Sequence, residues 1–163
     1  MPVGESPYKR IDPEPGPEVR LEMARLAAIG DQMLAASDLE TSREGPSYTV
    51  DTLERLAEER PDDELFFLLG ADVAGGLEGW REPARVLELA TLGIAARPGT
   101  ALDEAEAALE RLGRPDRAKF VKMPEIGVSS TSIRRRVAAG RPIRNLVPDP
   151  VVELIAERAL YGA

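Results

Sequence analysis

Leu65-Phe66-Phe67-Leu68-Leu69-Gly70-Ala71-Asp72 decides the fold class of this 163-residue chain. Five consecutive large apolar residues suit a strand buried on both faces, and such strands belong to parallel sheets. Gly70 ends the run. Asp72 then puts a carboxylate just beyond the strand's carboxyl end, where open α/β sheets bind ligands. A second run, Leu92-Gly93-Ile94-Ala95-Ala96, reads the same way and is closed by Arg97-Pro98-Gly99. Lys119-Phe120-Val121-Lys122-Met123 alternates as a third strand, and a further strand is expected over residues 35–41.

Helical patterns separate these runs. Pro17 opens a helix over residues 18–29, with Val19, Met23 and Leu26 on its apolar stripe. Ser47, after Gly45-Pro46, is placed to cap a helix reaching residue 59, whose buried face carries Val50, Leu53, Leu56 and Ala57. Short or medium helices are expected over 83–90, around Leu102, Ala105, Leu109 and Leu112, over 130–139 ending at Gly140, and over 148–160. The alternation of helix and strand predicts one α/β domain over residues 1–163, a parallel sheet with helices on both faces.

Composition narrows the function. The chain carries a net charge of −8. An acidic chain is a poor non-specific nucleic-acid binder, because phosphate affinity needs excess Lys and Arg. No apolar run approaches the ~20 residues that span a bilayer, and the first residues lack the pattern of a signal peptide. A cytoplasmic location, with no membrane and no nucleic-acid partner, is the expectation. There is no cysteine and no histidine, so thiolate metal sites and imidazole acid/base chemistry are both excluded for these residues.

Val128-Ser129-Ser130-Thr131-Ser132-Ile133-Arg134 lies between a strand and a helix. The first turn of a helix offers unpaired N–H groups and the positive end of the dipole. Arg134 stands four residues beyond Ser130 and three beyond Thr131, on one helical face. This is an arrangement that holds phosphate; a plain N-cap with a solvated arginine is the competing reading. Arg135, Arg136, Arg141 and Arg144 add local positive charge. Elsewhere each candidate has two readings. Asp72 accepts from sugar hydroxyls or caps a helix; Trp80 stacks on a flat heterocycle or anchors its loop. Thr49 donates to an anion or only caps, and Lys9 reaches a phosphate or is solvated.

Taken in order along the chain, these segments resemble bacterial nicotinate-nucleotide adenylyltransferase, of the nucleotidyltransferase α/β phosphodiesterase superfamily. Ser6-Pro7-Tyr8-Lys9 is similar to the family's Pro-Pro-His-Lys loop. Gly45-Pro46-Ser47-Tyr48-Thr49-Val50-Asp51-Thr52-Leu53 is close to a diagnostic stretch. Leu69-Gly70-Ala71-Asp72 with Trp80, Val128 to Arg134, and Asn145-Leu146-Val147-Pro148 match the remaining blocks. The resemblance implies a Rossmann-like nucleotidyltransferase fold and transfer of AMP from ATP to nicotinate mononucleotide with Mg²⁺, giving nicotinate adenine dinucleotide and pyrophosphate. It implies that Lys9, Ser130, Thr131 and Arg134 hold the ATP phosphates, Arg134 being the one catalytic residue carried over. It implies that Thr49 and the backbone at Trp80-Arg81 hold the nicotinate carboxylate, that Trp80 stacks on the pyridine, and that Asp72 contacts the nucleotide near its ribose.

The family begins with a strand and a turn bearing Gly-x-Phe-x-Pro-x-His-x-x-His, whose histidines face the ATP phosphates. The resemblance here starts after that unit. The expectation is therefore a first strand–helix unit missing, on the order of 30–40 residues, with Met1 an internal methionine taken as the start. That predicts an exposed apolar slot, unpaired sheet edges and little or no turnover by this polypeptide. Tyr8 stands where the family has His, and Arg81 where Tyr is common. The alternatives are a non-catalytic nucleotide-binding remnant and an adenylyltransferase acting on nicotinamide mononucleotide or phosphopantetheine; phosphopantetheine enzymes lack the Ser-Tyr-Thr block and the role of Trp80. Oligomeric state is not readable from the sequence.

Overall fold

The elements run α1 (Pro17–Ala27), α2 (Thr49–Glu59), β1 (Leu65–Gly70), α3 (Ala71–Ala74), α4 (Pro83–Leu89), β2 (Ala90–Ala96), α5 (Asp103–Arg111), β3 (Ala118–Lys122), α6 (Ser130–Ala138) and α7 (Asp149–Glu157), with 3₁₀ turns at Leu77–Gly79, Pro115–Arg117 and Leu160–Gly162. This computed structural model describes residues 1–8, 15–96, 102–124 and 126–162. Lys9, Arg10 and the Arg97-Pro98-Gly99 closure lie outside the described residues. Contacts divide the chain into two compact units, Tyr48–Ile126 and the pair Met1–Ser47 with Gly127–Ala163. Among the described residues, no helix is long and apolar enough to cross a membrane.

The unit Tyr48–Ile126 holds the parallel sheet, in the order β1-β2-β3. Leu65 to Gly70 pair in register with Ala90 to Ala95, and Leu92 to Ala96 with Ala118 to Lys122. Alternate side chains of a strand point to opposite faces, and the two faces here differ. Leu65, Phe67, Leu69, Leu92 and Ile94 join Val50 and Leu53 of α2, Val86 and Leu87 of α4, and Ala105 and Leu109 of α5 in one core. Arg85 ties α4 to α2 through Glu54 at 3.0 Å.

The opposite face corrects the expectation that Leu65–Leu69 is buried on both sides. Phe66 is 44% exposed and Leu68 74% exposed. The helices that bury β1 collect their apolar residues on the Phe67 face, and among the described residues Phe66 and Leu68 stay exposed on the other. Leu68 leans across β2 so closely that a side chain at Gly93 would collide with it. Lys119 Nζ lies 4.7 Å from the centre of the Phe66 ring.

The other unit gathers α1, α6 and α7. Ile133, Val137, Ile143, Val151 and Ile155 form its core, with Met23, Leu26 and Tyr161 packed against it. Arg158 pairs with Glu22 at 2.8 Å across α7 and α1. Arg20 donates to the carbonyls of Val3 and Gly4 at 2.7 and 3.1 Å, and Ser47 N–H donates to Glu5 O at 2.7 Å.

Three local readings change. Residues 35–41 form no strand. Their backbone is satisfied locally: Leu39 N–H donates to Ser37 Oγ, Thr41 Oγ1 donates to Asp38 O, and Ser42 N–H donates to Asp38 O. Short polar side chains here compete with a ladder. Ser47 does not cap α2. The helix starts two residues later with Tyr48 at its N-cap and no side-chain cap, because Pro46 is bridged to Glu5. The last helix stops at Glu157, and the chain then turns through left-handed backbone at Ala159 and Tyr161.

Candidate functional site

Helix α6 starts at Ser130 as the sequence predicts, but its N-cap is Ser129. Ser129 Oγ accepts from Ser132 N–H at 3.1 Å, and Ser132 Oγ accepts from Ser129 N–H at 3.0 Å. This reciprocal capping box fixes the first turn. It engages the hydroxyls of Ser129 and Ser132 and leaves the amides of Ser130 and Thr131, which have no carbonyl four residues back within the helix, pointing out of its end. Arg134 Nη2 donates to Thr131 Oγ1 at 3.4 Å, so Thr131 and Arg134 do share a face. Arg136 turns away and donates twice to Pro142 O, at 3.0 and 2.8 Å. The arginine run therefore divides: one guanidinium stands over the helix start and another braces the following loop.

Beside this start lies a cavity of about 360 Å³ lined by Ser129, Ser130, Ile133, Arg134, Met23 and Tyr161, among others of the same unit. Its lining is mainly apolar and includes the hydroxyl residues Ser129 and Ser130 and the Arg134 guanidinium. Tyr161 was not singled out from sequence. Its only local signal is the following Gly162, and its contact with α6 depends on a turn that no pattern in the sequence announces.

A second group forms inside the unit Tyr48–Ile126. Thr49 is the first residue of α2. The Arg81 guanidinium lies 4.8 Å from the centre of the Tyr48 ring and contacts Asp51 at 3.4 Å and Glu82 at 3.7 Å. Trp80 is half-buried, its ring edge-on to Phe67 with centroids 6.0 Å apart. The loop is shaped by Glu82, whose φ of 49° is left-handed, and is held by Glu78, which pairs with Arg111 at 2.5 Å. That guanidinium, hydrogen-bonded to Glu78, holds the carboxyl below the usual range. The structure thus sets Arg81 against Tyr48 and Asp51 at the start of α2, where Thr49 is the first helical residue, while the neighbouring Trp80 packs on Phe67.

Asp72 is exposed in the first turn of α3, immediately beyond β1. Its carboxylate folds back over Gly70, where any Cβ would strike it. That glycine is what lets the carboxylate sit at the strand end. Lys9 lies outside the described residues.

A family model described as "Cytidylyltransferase-like" matches residues 2–136. Over 161 residues the chain is 41% identical to a Roseiflexus sp. protein named "Probable nicotinate-nucleotide adenylyltransferase", covering 99% of this chain and 80% of that one. Over 144 residues it is 45% identical to a Thermus thermophilus protein of the same name, covering 88% and 73%. In fold it is similar to the solved structure "Plasmodium falciparum nicotinic acid mononucleotide adenylyltransferase complexed with NaAD", with a TM-score of 0.72 at 18% identity over 98% of this chain and 80% of that one.

Proposed function

Since this chain belongs to the nicotinate-nucleotide adenylyltransferases, within the cytidylyltransferase-like family, we propose that it recognises ATP at the start of α6 and nicotinate mononucleotide at the start of α2. The reaction of such an enzyme is in-line attack by a phosphate oxygen of the mononucleotide on the α-phosphorus of ATP. The bond from that phosphorus to the bridging oxygen breaks, and pyrophosphate leaves. No covalent enzyme intermediate is required; positioning and charge neutralisation suffice.

Ser130, Thr131 and Arg134 would hold the ATP phosphates, with Lys9 assisting. Thr49 and the Trp80-Arg81 segment would hold the nicotinate carboxylate, Trp80 would stack on the pyridine, and Asp72 would accept from a ribose hydroxyl. Mg²⁺ suits this set if it arrives on the phosphates: among the described residues no group of three or more His, Asp or Glu is placed to cage a metal, and magnesium is commonly held largely by substrate phosphates. When bound it would neutralise phosphate charge. The family's place in NAD synthesis makes the cytoplasm the expected compartment.

The observation that carries this reading is the α6 start, where the capping box leaves Ser130, Thr131 and Arg134 turned outward together. The acid rather than the amide mononucleotide would be favoured if Arg81, beside the α2 start and paired with Asp51 and Glu82, turns its guanidinium from them to the nicotinate carboxylate. Titration calorimetry on the 163-residue chain tests both. ATP binding and tighter binding of nicotinate than nicotinamide mononucleotide are expected. Equal affinity for acid and amide would overturn the carboxylate assignment. Pyrophosphate release is expected to be slow, because this polypeptide has no histidine to face the phosphates; rapid turnover would overturn that expectation.

A further inference from the structure

The C-terminal turn is the most strained piece of described backbone. Ala159, Tyr161 and Gly162 have φ of 47°, 60° and 81°. Glycine adopts such angles freely, whereas a bulky aromatic residue does so only when its surroundings over-determine it. Here the turn packs against α6 and α7 and carries the Tyr161 ring into the wall of the cavity beside Ser129, Ser130 and Arg134. A cavity of about 360 Å³ lies in the range of small-molecule sites, which combine apolar walls with a few placed polar groups. Met23, Ile133, Val151 and Ile155 supply apolar lining, and Ser129, Ser130 and Arg134 line the same cavity.

That polarity matches one kind of occupant, a flat heterocycle joined to an anionic tail. An anion held by Arg134 and the α6 start would leave the heterocycle the apolar lining. We propose that Tyr161 is a nucleotide-binding residue, its ring forming the wall on which the base and sugar of ATP rest once α6 has taken the phosphates. This rests on the assignment of ATP to the α6 start. Burial raises the pKa of the Tyr161 hydroxyl, and the nearby charges of Arg134 and Arg20 act against that rise. The phenol therefore stays neutral at neutral pH and can donate to a sugar or phosphate oxygen.

The test separates base from phosphate by comparing ATP with inorganic tripolyphosphate, which offers only the anion. In calorimetry, Tyr161→Leu is expected to weaken ATP about tenfold, the scale of losing one base–aromatic contact, and to leave tripolyphosphate affinity unchanged. Tyr161→Phe is expected to stay within about twofold for both ligands if stacking dominates over the hydroxyl. Unchanged ATP affinity in Tyr161→Leu overturns the proposal, and so does an equal loss for ATP and tripolyphosphate. Arg134→Ala serves as the control for the underlying assignment: if it leaves both ligands unaffected, the α6 start is not the phosphate site, a failure distinct from that of Tyr161. Should Tyr161→Leu fail to fold, the unaltered chain still decides. The ring-proton resonances of Tyr161 should shift with ATP and not with tripolyphosphate; no shift with ATP overturns the proposal.

Discussion

Helix α6 begins with two serines that close its first turn on themselves, whereas α2 begins at Tyr48 with no side-chain cap. Both starts were expected to hold an anion, but they divide labour differently. At α6, Ser129 and Ser132 form the cap, and Ser130, Thr131 and Arg134, the residues proposed to meet phosphate, take no part in it. At α2, stability comes from burial of Val50, Thr52 and Leu53, and the polar groups around the start come from another segment, the Trp80–Glu82 loop. A start that caps itself keeps its geometry when its ligand-facing residues change. A start furnished by a distant loop depends on whatever holds that loop.

The largest effect expected from this difference is at Arg134. Arg134→Ala should weaken ATP about ten- to a hundredfold, the loss of a charge-assisted hydrogen bond of about 1.5–3 kcal/mol. Its one described side-chain bond is the 3.4 Å contact with Thr131, so the urea midpoint should barely move. Ser129→Ala should do the reverse. Loss of the capping box should cost about 1 kcal/mol, read as a lower urea midpoint at unchanged slope. A stability loss at Arg134 equal to that at Ser129 would erase the distinction between cap and ligand residues.

The sequence announces α6 more completely than α2, for a physical reason. Capping boxes, i to i+4 faces and apolar strand runs are local, so Ser130, Thr131, Arg134 and all three strands of the described sheet are readable along the chain. The α2 group is assembled by a crossover through β1 and α3, and the packing of Arg81 on Tyr48 follows from tertiary structure alone. The one-sided exposure of Phe66 and Leu68 was hidden because a continuous apolar run states that both faces are apolar, not that both are covered. Tyr161 was hidden because nothing local dictates a left-handed tyrosine. The same locality explains the mistaken strand at 35–41, where Ser37, Asp38 and Thr41 bond the nearby backbone before any ladder can form.

Smaller effects sharpen the α2 side. Thr49→Val removes a hydroxyl that no capping bond uses. Nicotinate mononucleotide should bind about fivefold more weakly, near the roughly 1 kcal/mol of a single neutral hydrogen bond. The urea midpoint should shift less than for Ser129→Ala. Equal midpoint shifts in the two variants would mean that α2 is capped through Thr49 after all.

The smallest effect lies in the brace behind the Trp80 loop. Glu78 and Arg111 are joined by two hydrogen bonds, from Arg111 Nε at 2.8 Å and Nη2 at 2.5 Å. The hydrogen-bonded guanidinium favours the carboxylate and lowers the Glu78 pKa in the folded chain. A depressed carboxyl pKa contributes stability that is present above the unfolded value of about 4.3 and is lost as pH falls through the folded value. The pair is exposed, so solvent screening keeps the contribution small. Glu78→Gln should therefore melt slightly below wild type at pH 7, and the two curves should converge as the pH is lowered through and below about 4. Added salt should narrow the gap at pH 7 in the same way. A gap that persisted in acid would assign the role of Glu78 to packing of the 3₁₀ turn on α5 rather than to charge, and the Trp80 loop would then be held independently of pH.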